Sequence, residues 1–391
     1  MTQHTLPTLP ELRQQIDSID EQIHQLINQR AVCAQQVAEV KHAEDPSIKS
    51  FYRPEREAQV LQMVIARQEQ FKEQQKLQQR DVLHGETVAR LFREIMSACL
   101  ALESPLNIAF LGPNGTFTHT AALKHFGHAA LTHPIATIDE VFREVEAQSV
   151  NYGVVPVENS SEGVVNHTLD CFMGSSLKIV GEVELRIHQN LLVAEGTQIK
   201  HISRIYSHQQ SLAQCRKWLD AHFPKVERVA VSSNAEAARM VKNEWHSAAI
   251  AGETAAELYA LTMLHKNIED NPNNTTRFLI IGTEETAPSG DDKTSLIVAA
   301  HNEAGALYHI LEPFYRHGIS LTRIETRPAQ NNVWSYVFFI DFEGHQQQPH
   351  VKAVLDEVRT RVRELRILGS YPKAVLQLFF SLVKTLPLLV G

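Results

Sequence analysis

Four times between Asn107 and Thr254 the sequence repeats one punctuation: a short apolar run, a polar turn, then an amphipathic stretch of helical period. The runs Asn107–Leu111, Gly153–Val157, Ile205-Tyr206 and Ala249–Ala251 lead into Gly112-Pro113-Asn114-Gly115-Thr116-Phe117, Glu158-Asn159-Ser160-Ser161-Glu162-Gly163, Ser207-His208-Gln209-Gln210 and Gly252-Glu253-Thr254. Strands alternating with helices predict an open α/β architecture. In such sheets ligands sit where strands end and helices begin, so the four turns are expected to line one crevice. Free backbone N–H groups at a helix start suit an anion. The first turn lacks the Gly-Lys-Ser/Thr ending of a phosphate loop and the GxGxxG of a dinucleotide site, so no nucleotide cofactor is expected.

A fifth polar stretch, Asn273-Asn274-Thr275-Thr276-Arg277-Phe278, precedes its strand instead of following it. To share the crevice, that strand has to run antiparallel to the others, as a chain crossing back between two lobes would. A hydroxyl beside a guanidinium at a strand mouth suits an anionic substrate whose leaving group must be protonated. The formal net charge is −8 with both signs mixed along the chain, which leaves no basic stripe for nucleic acid and predicts that a few placed cations hold the anion. Cys33, Cys99, Cys171 and Cys215 lie far apart without a CxxC pair, arguing against disulfides and structural zinc; free thiols in a reducing cytosol and no metal site are expected. The N-terminus has no basic-then-apolar signal pattern. The apolar stretch 374–391 is broken by Lys384 and Pro387, so a docked amphipathic helix is expected there, not a membrane anchor.

Residues 1–104 read as helical. Thr8 and Glu11 form a capping box, and Leu12, Ile16, Ile19, Ile23, Leu26, Cys33, Val37 and Val40 recur at helical spacing behind it. Arg30 interrupts this seam, and Lys41 lies within about 20° of the same face and roughly 16 Å along the axis, so the two suit the ends of one small ligand. Arg13 is about 25 Å of helix from Arg30 and about 42 Å from Lys41, too far to serve their pocket on the same chain. A second helix is expected from Pro54 through Arg80, carrying Arg56 and Glu57; after a break at His84-Gly85, a third carries Cys99 and ends at Glu103. Three such helices cannot enclose a full core alone, which predicts an intertwined dimer. Beyond a polar linker, Glu284 to Asp292, residues 293–373 follow a βαββαβ order, that of a ferredoxin-like α+β sandwich.

The helical stretch resembles the all-α chorismate mutase family through Leu12–Asp17, Arg30, Lys41, Arg53–Glu57 and Leu91–Cys99. That resemblance implies a dimer in which Arg13 comes from the partner chain. Arg13 and Arg30 would hold the two carboxylates, with Lys41 at the ether oxygen and Glu57 at the ring hydroxyl. Cys99 and Glu103 stand where Ser and Gln are expected, which leaves open a mutase half kept only as a dimerisation arm. A carboxylate beside a breaking ether bond helps only when protonated, so activity rising towards acid pH is expected.

Residues 106–285 resemble the prephenate dehydratase family through Gly112–Phe117, Gly153–Gly163, Ser207–Gln210, Ala213–Cys215 and Asn274–Phe278. A two-lobed, periplasmic-binding-protein-like fold is implied, with Thr276 at the leaving hydroxyl. We further expect Arg277 and the Thr116 helix entry at the carboxylates, and Asn159, Ser207 and Gln214 orienting the ring. Gly305-Ala306-Leu307 and Glu325-Thr326-Arg327-Pro328 resemble the effector motifs of an ACT domain, implying feedback inhibition by phenylalanine. Together the resemblances imply a cofactor-free, cytoplasmic homodimer or larger assembly that turns chorismate into prephenate and prephenate into phenylpyruvate. A non-catalytic amino-acid sensor is the rival reading, against which the Thr276-Arg277 pair speaks. A prephenate dehydrogenase would need the dinucleotide site that is missing.

Overall fold

The computed structural model describes residues 7–44, 46, 51–77, 82–301, 303–328 and 336–376. The expected helix past Leu77, the start of a strand at Val333 and the tail beyond Leu376 lie outside these. The fold is multidomain as expected, and it begins with three helices: α1 (Leu9–Glu44), α2 (Pro54–Gln74) and α3 (Gly85–Glu103). The capping box closes: the backbone N–H and hydroxyl of Thr8 donate to Glu11 Oε2 at 2.7 and 2.8 Å. Leu61 and Val64 of α2 pack on Ala89 of α3 with Leu376. In α1, by contrast, only Ala38 is buried. Leu12, Ile16, Ile19, Ile23 and Leu26 are 41–63% exposed, so nothing among the described residues covers the apolar seam.

The next unit has two lobes. The first holds β1 (Asn107–Leu111), α4 (Phe117–Phe126), β2 (Leu131–Ile135), α5 (Ile138–Glu146), β3 (Tyr152–Asn159), β4 (Gly163–Val164), α6 (Asn166–Gly174) and β5 (Lys178–Arg186). The amphipathic pattern sets the packing: Ile138, Val141, Phe142 and Val145 recur at helical spacing and are all buried. The second lobe holds β6 (Asn190–Val193), β7 (Arg204–His208), α7 (Gln209–Gln214), α8 (Arg216–His222), β8 (Glu227–Val231), α9 (Asn234–Val241), β9 (Ser247–Ala251), α10 (Glu253–Tyr259) and β10 (Thr262–His265). Its sheet has the order β10-β6-β9-β7-β8. The chain then crosses back as β11 (Thr275–Gly282), which enters the first sheet between β3 and β5 to give β2-β1-β3-β11-β5. It is antiparallel to both neighbours, as its reversed punctuation required.

The third unit is β12 (Asp292–Ala299), α11 (Ala306–Arg316), β13 (Leu321–Pro328), β14 (Tyr336–Glu343), α12 (Pro349–Arg361) and β15 (Glu364–Pro372), an antiparallel sheet ordered β13-β14-β12-β15 with two helices. Gly305, at φ 83°, turns the chain into α11. The polar stretch before β12 is anchored at three points: Thr286, Ser289 and Asp292 are buried, and the Asp292 carboxylate accepts from Ser289 and Gly290. One hydrophobic cluster runs across the junction, joining Ile179, Leu279 and Ile281 to Ile297, Phe339, Leu368 and Tyr371. The backbones approach so closely that a Cβ on Gly369 of β15 would lie 2.1 Å from the carbonyl oxygen of Ile179 on β5.

Candidate active sites

Between the lobes lies a cavity of about 460 Å³. The β3–β11 register sets Thr276 opposite Asn159 at its edge. Asn159 Nδ2 donates to Thr276 Oγ1 at 2.7 Å and to Asn274 Oδ1 at 3.0 Å. The Thr276 oxygen is thereby engaged as an acceptor while its own proton stays available to a ligand. Asn274 Nδ2 donates to Gln214 Oε1 at 3.1 Å, and Gln189 Nε2 donates to Gln214 Oε1 and Ser211 Oγ at 3.3 and 3.0 Å. Asn234 Nδ2 continues the chain to Ser211 Oγ at 2.9 Å. An amide and hydroxyl network therefore spans both lobes and fixes which atoms face the cavity.

Thr116, Asn159, Gln214 and Thr276 all reach the cavity wall. Thr116 caps α4, accepting from His119 N–H and donating to Leu111 O. What it presents to the cavity is the start of a helix. Ser233 likewise caps α9, and Ser232, Ser233 and Asn234 line the wall. These three residues and Gln189 were missed by the sequence reading, although Val229–Val231 followed by Ser-Ser-Asn repeats the strand, turn, helix punctuation. Leu111, Pro156, Val164, Ile187 and Phe278 give the wall an apolar part, and Glu162 and His208 are its ionisable side chains.

Several expectations are corrected. Arg277 does not face the cavity. In a strand successive side chains point to opposite faces, so Thr276 looking in sends Arg277 out. Its guanidinium donates to Glu182 Oε2 at 2.8 Å, Asp341 Oδ2 at 2.6 Å and the Tyr371 hydroxyl at 3.0 Å. Burial alone would lower its pKa, but Asp341, Tyr371 and Glu182 more than offset that and hold it well above the ordinary value. Among the described wall residues there is no Lys or Arg at all. Ser207 is fully buried and donates to Ile250 O and Asn234 Oδ1, so it positions Asn234 without reaching the cavity. The fourth turn is not on the wall either: Thr254 bonds Thr120 of α4 at 2.8 Å, tying the lobes together. Of the two carboxylates in the second turn, Glu162 lines the cavity and Glu158 turns away towards Arg323.

On the helical unit, Arg30, Lys41, Glu57 and Glu103 gather near one another. Burial pushes the Glu103 carboxyl up, against the pull of Lys41 and Arg30. Burial likewise raises Glu57, against Arg93 and Arg30. Glu57 Oε1 lies 2.9 Å from Arg93 Nε, and Arg93 also donates to the His125 carbonyl of α4. Arg93 went unassigned in the sequence; a charge on the inward face of α3 was the available signal. Cys99 is buried, while Arg13 and Arg56 are exposed, Arg13 beside the bare apolar seam.

On the third unit, Glu325, Thr326, Arg327 and Pro328 lie on the edge strand β13, and Gly305, Ala306 and Leu307 at the entry to α11. Arg327 grips Asp170 of α6 with a forked contact, at 2.6 Å to each oxygen through Nη2. Outside these sites, Asp139, His167 and Cys171 bring three donor atoms within 4.8 Å of one another. Burial and the Asp139 carboxylate push the Cys171 thiol up to about 12, so it is protonated at neutral pH. All four cysteines are free, and no described helix is long and apolar enough to cross a membrane.

Family models match in the same order: chorismate mutase type II over residues 12–104, prephenate dehydratase over 108–286 and the ACT domain over 294–360. A bifunctional chorismate mutase/prephenate dehydratase of Pseudomonas aeruginosa is 59% identical over 94% of this chain and 98% of its own length. One from Stutzerimonas stutzeri is 60% identical over the same shares. Among solved structures, a prephenate dehydratase from Arthrobacter aurescens in complex with L-Phe is 34% identical with a TM-score of 0.64, covering 70% of this chain and 92% of that one.

Proposed function

The chain belongs to the bifunctional chorismate mutase/prephenate dehydratase family, and from that premise we propose that it carries out both steps, with phenylalanine as feedback inhibitor. The observation that carries the dehydratase reading is the 2.7 Å contact from Asn159 Nδ2 to Thr276 Oγ1 at the cavity wall. Prephenate must lose its ring hydroxyl and a carboxylate as the ring becomes aromatic. Thr276, its oxygen engaged by Asn159, donates its proton to the departing hydroxyl as a hydrogen bond or relay. With no Lys or Arg on the described wall, the helix starts of α4 and α9 take the retained carboxylate through backbone N–H groups. The apolar part of the wall, Leu111, Pro156, Val164, Ile187 and Phe278, then disfavours the charge of the carboxylate that leaves as carbon dioxide.

The mutase step is a rearrangement that needs no nucleophile, so its catalysis is positioning and electrostatics. In our reading Arg30 and Lys41 hold the substrate beside Glu57 and Glu103, and Arg13 is supplied by a second copy of the chain. Support comes from α1, whose exposed seam asks for a second apolar surface. Glu325–Pro328 and Gly305–Leu307 are assigned to effector binding, and the enzyme to the cytoplasm. Neither step needs a cofactor.

The test supplies the purified protein with chorismate alone and follows prephenate and phenylpyruvate with and without phenylalanine. Phenylpyruvate that forms and slows with phenylalanine is expected. Chorismate left intact while added prephenate is consumed would reduce the helices to a dimerisation arm. Consumption of neither would favour a sensor.

A further inference from the structure

On the face of the sheet away from the cleft, β3 and β11 present a second pair. The register that sets Thr276 against Asn159 sets Arg277 against Glu158. Both of these outward residues are met by the third unit. Asp341 of β14 holds Arg277 at 2.6 Å and is itself fixed by Ser295, whose hydroxyl donates at 2.6 Å. Arg323 of β13 lies 3.4 Å from Glu158 and 3.8 Å from Glu325. Its Nε and Nη2 are buried without a hydrogen bond, so this guanidinium holds Glu158 and Glu325 by charge alone, and its charge also acts on Asp341. Glu182 and Lys293 complete the cluster, with both Glu182 oxygens 2.8 Å from Lys293 Nζ.

We propose that Asp341 and Arg323 are positioning residues for the dehydration: from outside the cleft they hold the two strands that carry Thr276 and Asn159. A shift of the outward pair moves the inward pair, because each is joined to it through one peptide unit of an extended strand. Arg323 also ties this arrangement to Glu325, one of the residues assigned above to effector binding. An effector that draws Arg323 towards Glu325 loosens its hold on Glu158 and so disturbs the Asn159–Thr276 contact. The effector-linked half of the inference rests on the proposed function.

The experiment measures dehydratase kcat and KM on the full chain for Glu158→Gln, Arg323→Met, their double variant, Asp341→Asn and the conservative Arg323→Lys. Mutase turnover in the same preparations reports folding. We expect kcat to fall about tenfold or more with KM for prephenate nearly unchanged, Arg323→Lys to recover part of the loss, and the double variant to fall no further than the worse single one. We also expect phenylalanine to bind Arg323→Met while inhibiting it less. Glu158 is 40% exposed in its side chain, so its variant tests the idea even if Asp341→Asn fails to fold. Wild-type kcat in Glu158→Gln and Arg323→Met, or additive losses in the double variant, would overturn the inference. A wild-type protein without dehydratase turnover would instead overturn the functional reading beneath it.

Discussion

At the scale of single residues, the dehydratase centre depends on which face of β11 a side chain occupies. Thr276 accepts from Asn159 and keeps its own proton free, so Thr276→Ala should cut dehydratase turnover by at least about a hundredfold, roughly 2.7 kcal/mol of barrier. Mutase turnover in the same protein should be unchanged, and parallel assays check this. Glu103 gives a signed pH dependence. In the proposed mutase site its useful form is protonated, and burial raises its pKa above the ordinary carboxylate value, extending that form upward in pH. Mutase kcat/KM should therefore fall as pH rises through the raised pKa. A Glu103→Gln variant should give a flat profile over the same range, and a flat wild-type profile would remove Glu103 from the mechanism. Thr276 and Asn159 were legible because their motifs are specific. Arg277 was misassigned although the period of two in a strand, applied to its neighbour Thr276, already places it on the other face.

Elements raise a different question, that of what covers them. Helix α1 spans roughly 54 Å and shows solvent an apolar stripe that a folded chain ordinarily buries. Each Ile of that stripe is worth about 1.5–3 kcal/mol if a second copy covers it. Ile19→Glu with Ile23→Glu should therefore dissociate the assembly, visible by light scattering, and lower mutase turnover by about a hundredfold or more through loss of the partner's arginine. Dehydratase kcat should stay within about twofold. Should the double variant keep both its mass and its mutase activity, α1 is not the interface. The helical period made α1 readable in the sequence with its start correct, because the capping box and the seam are local signals. The positions of α2 and α3 against it are not local, and neither is the Arg93 contact that restrains Glu57.

For the molecule as a whole, the dehydratase unit and the effector-type unit are one packed body. They share a hydrophobic cluster and an ion cluster in which burial would raise the Glu182 and Asp341 carboxyls, yet Arg277 with Lys293 and Arg323 hold them below the usual carboxylate range. Gly369 is where the backbones meet. Gly369→Ala forces Ile179 to move and should cost about 3 kcal/mol, the upper end for overpacking, read as a lowered thermal midpoint with reduced dehydratase turnover. An unchanged midpoint would mean that the two units are packed less tightly than their backbones indicate.

By itself the sequence determined the three units, the order of their elements, the reversed direction of β11 and the motif residues Thr276, Asn159, Gln214 and Thr116. These follow from period, turn chemistry and specific local patterns, all of which act over a few residues. Tertiary structure alone decided which partners take Arg277, the absence of Lys and Arg from the described cavity wall, and the anchoring of Thr286, Ser289 and Asp292 within the polar linker. The physical reason is that a charge is placed by whichever partner best offsets its desolvation. For Arg277 those partners, Glu182, Asp341 and Tyr371, are far away in the chain and adjacent only once the sheets have packed.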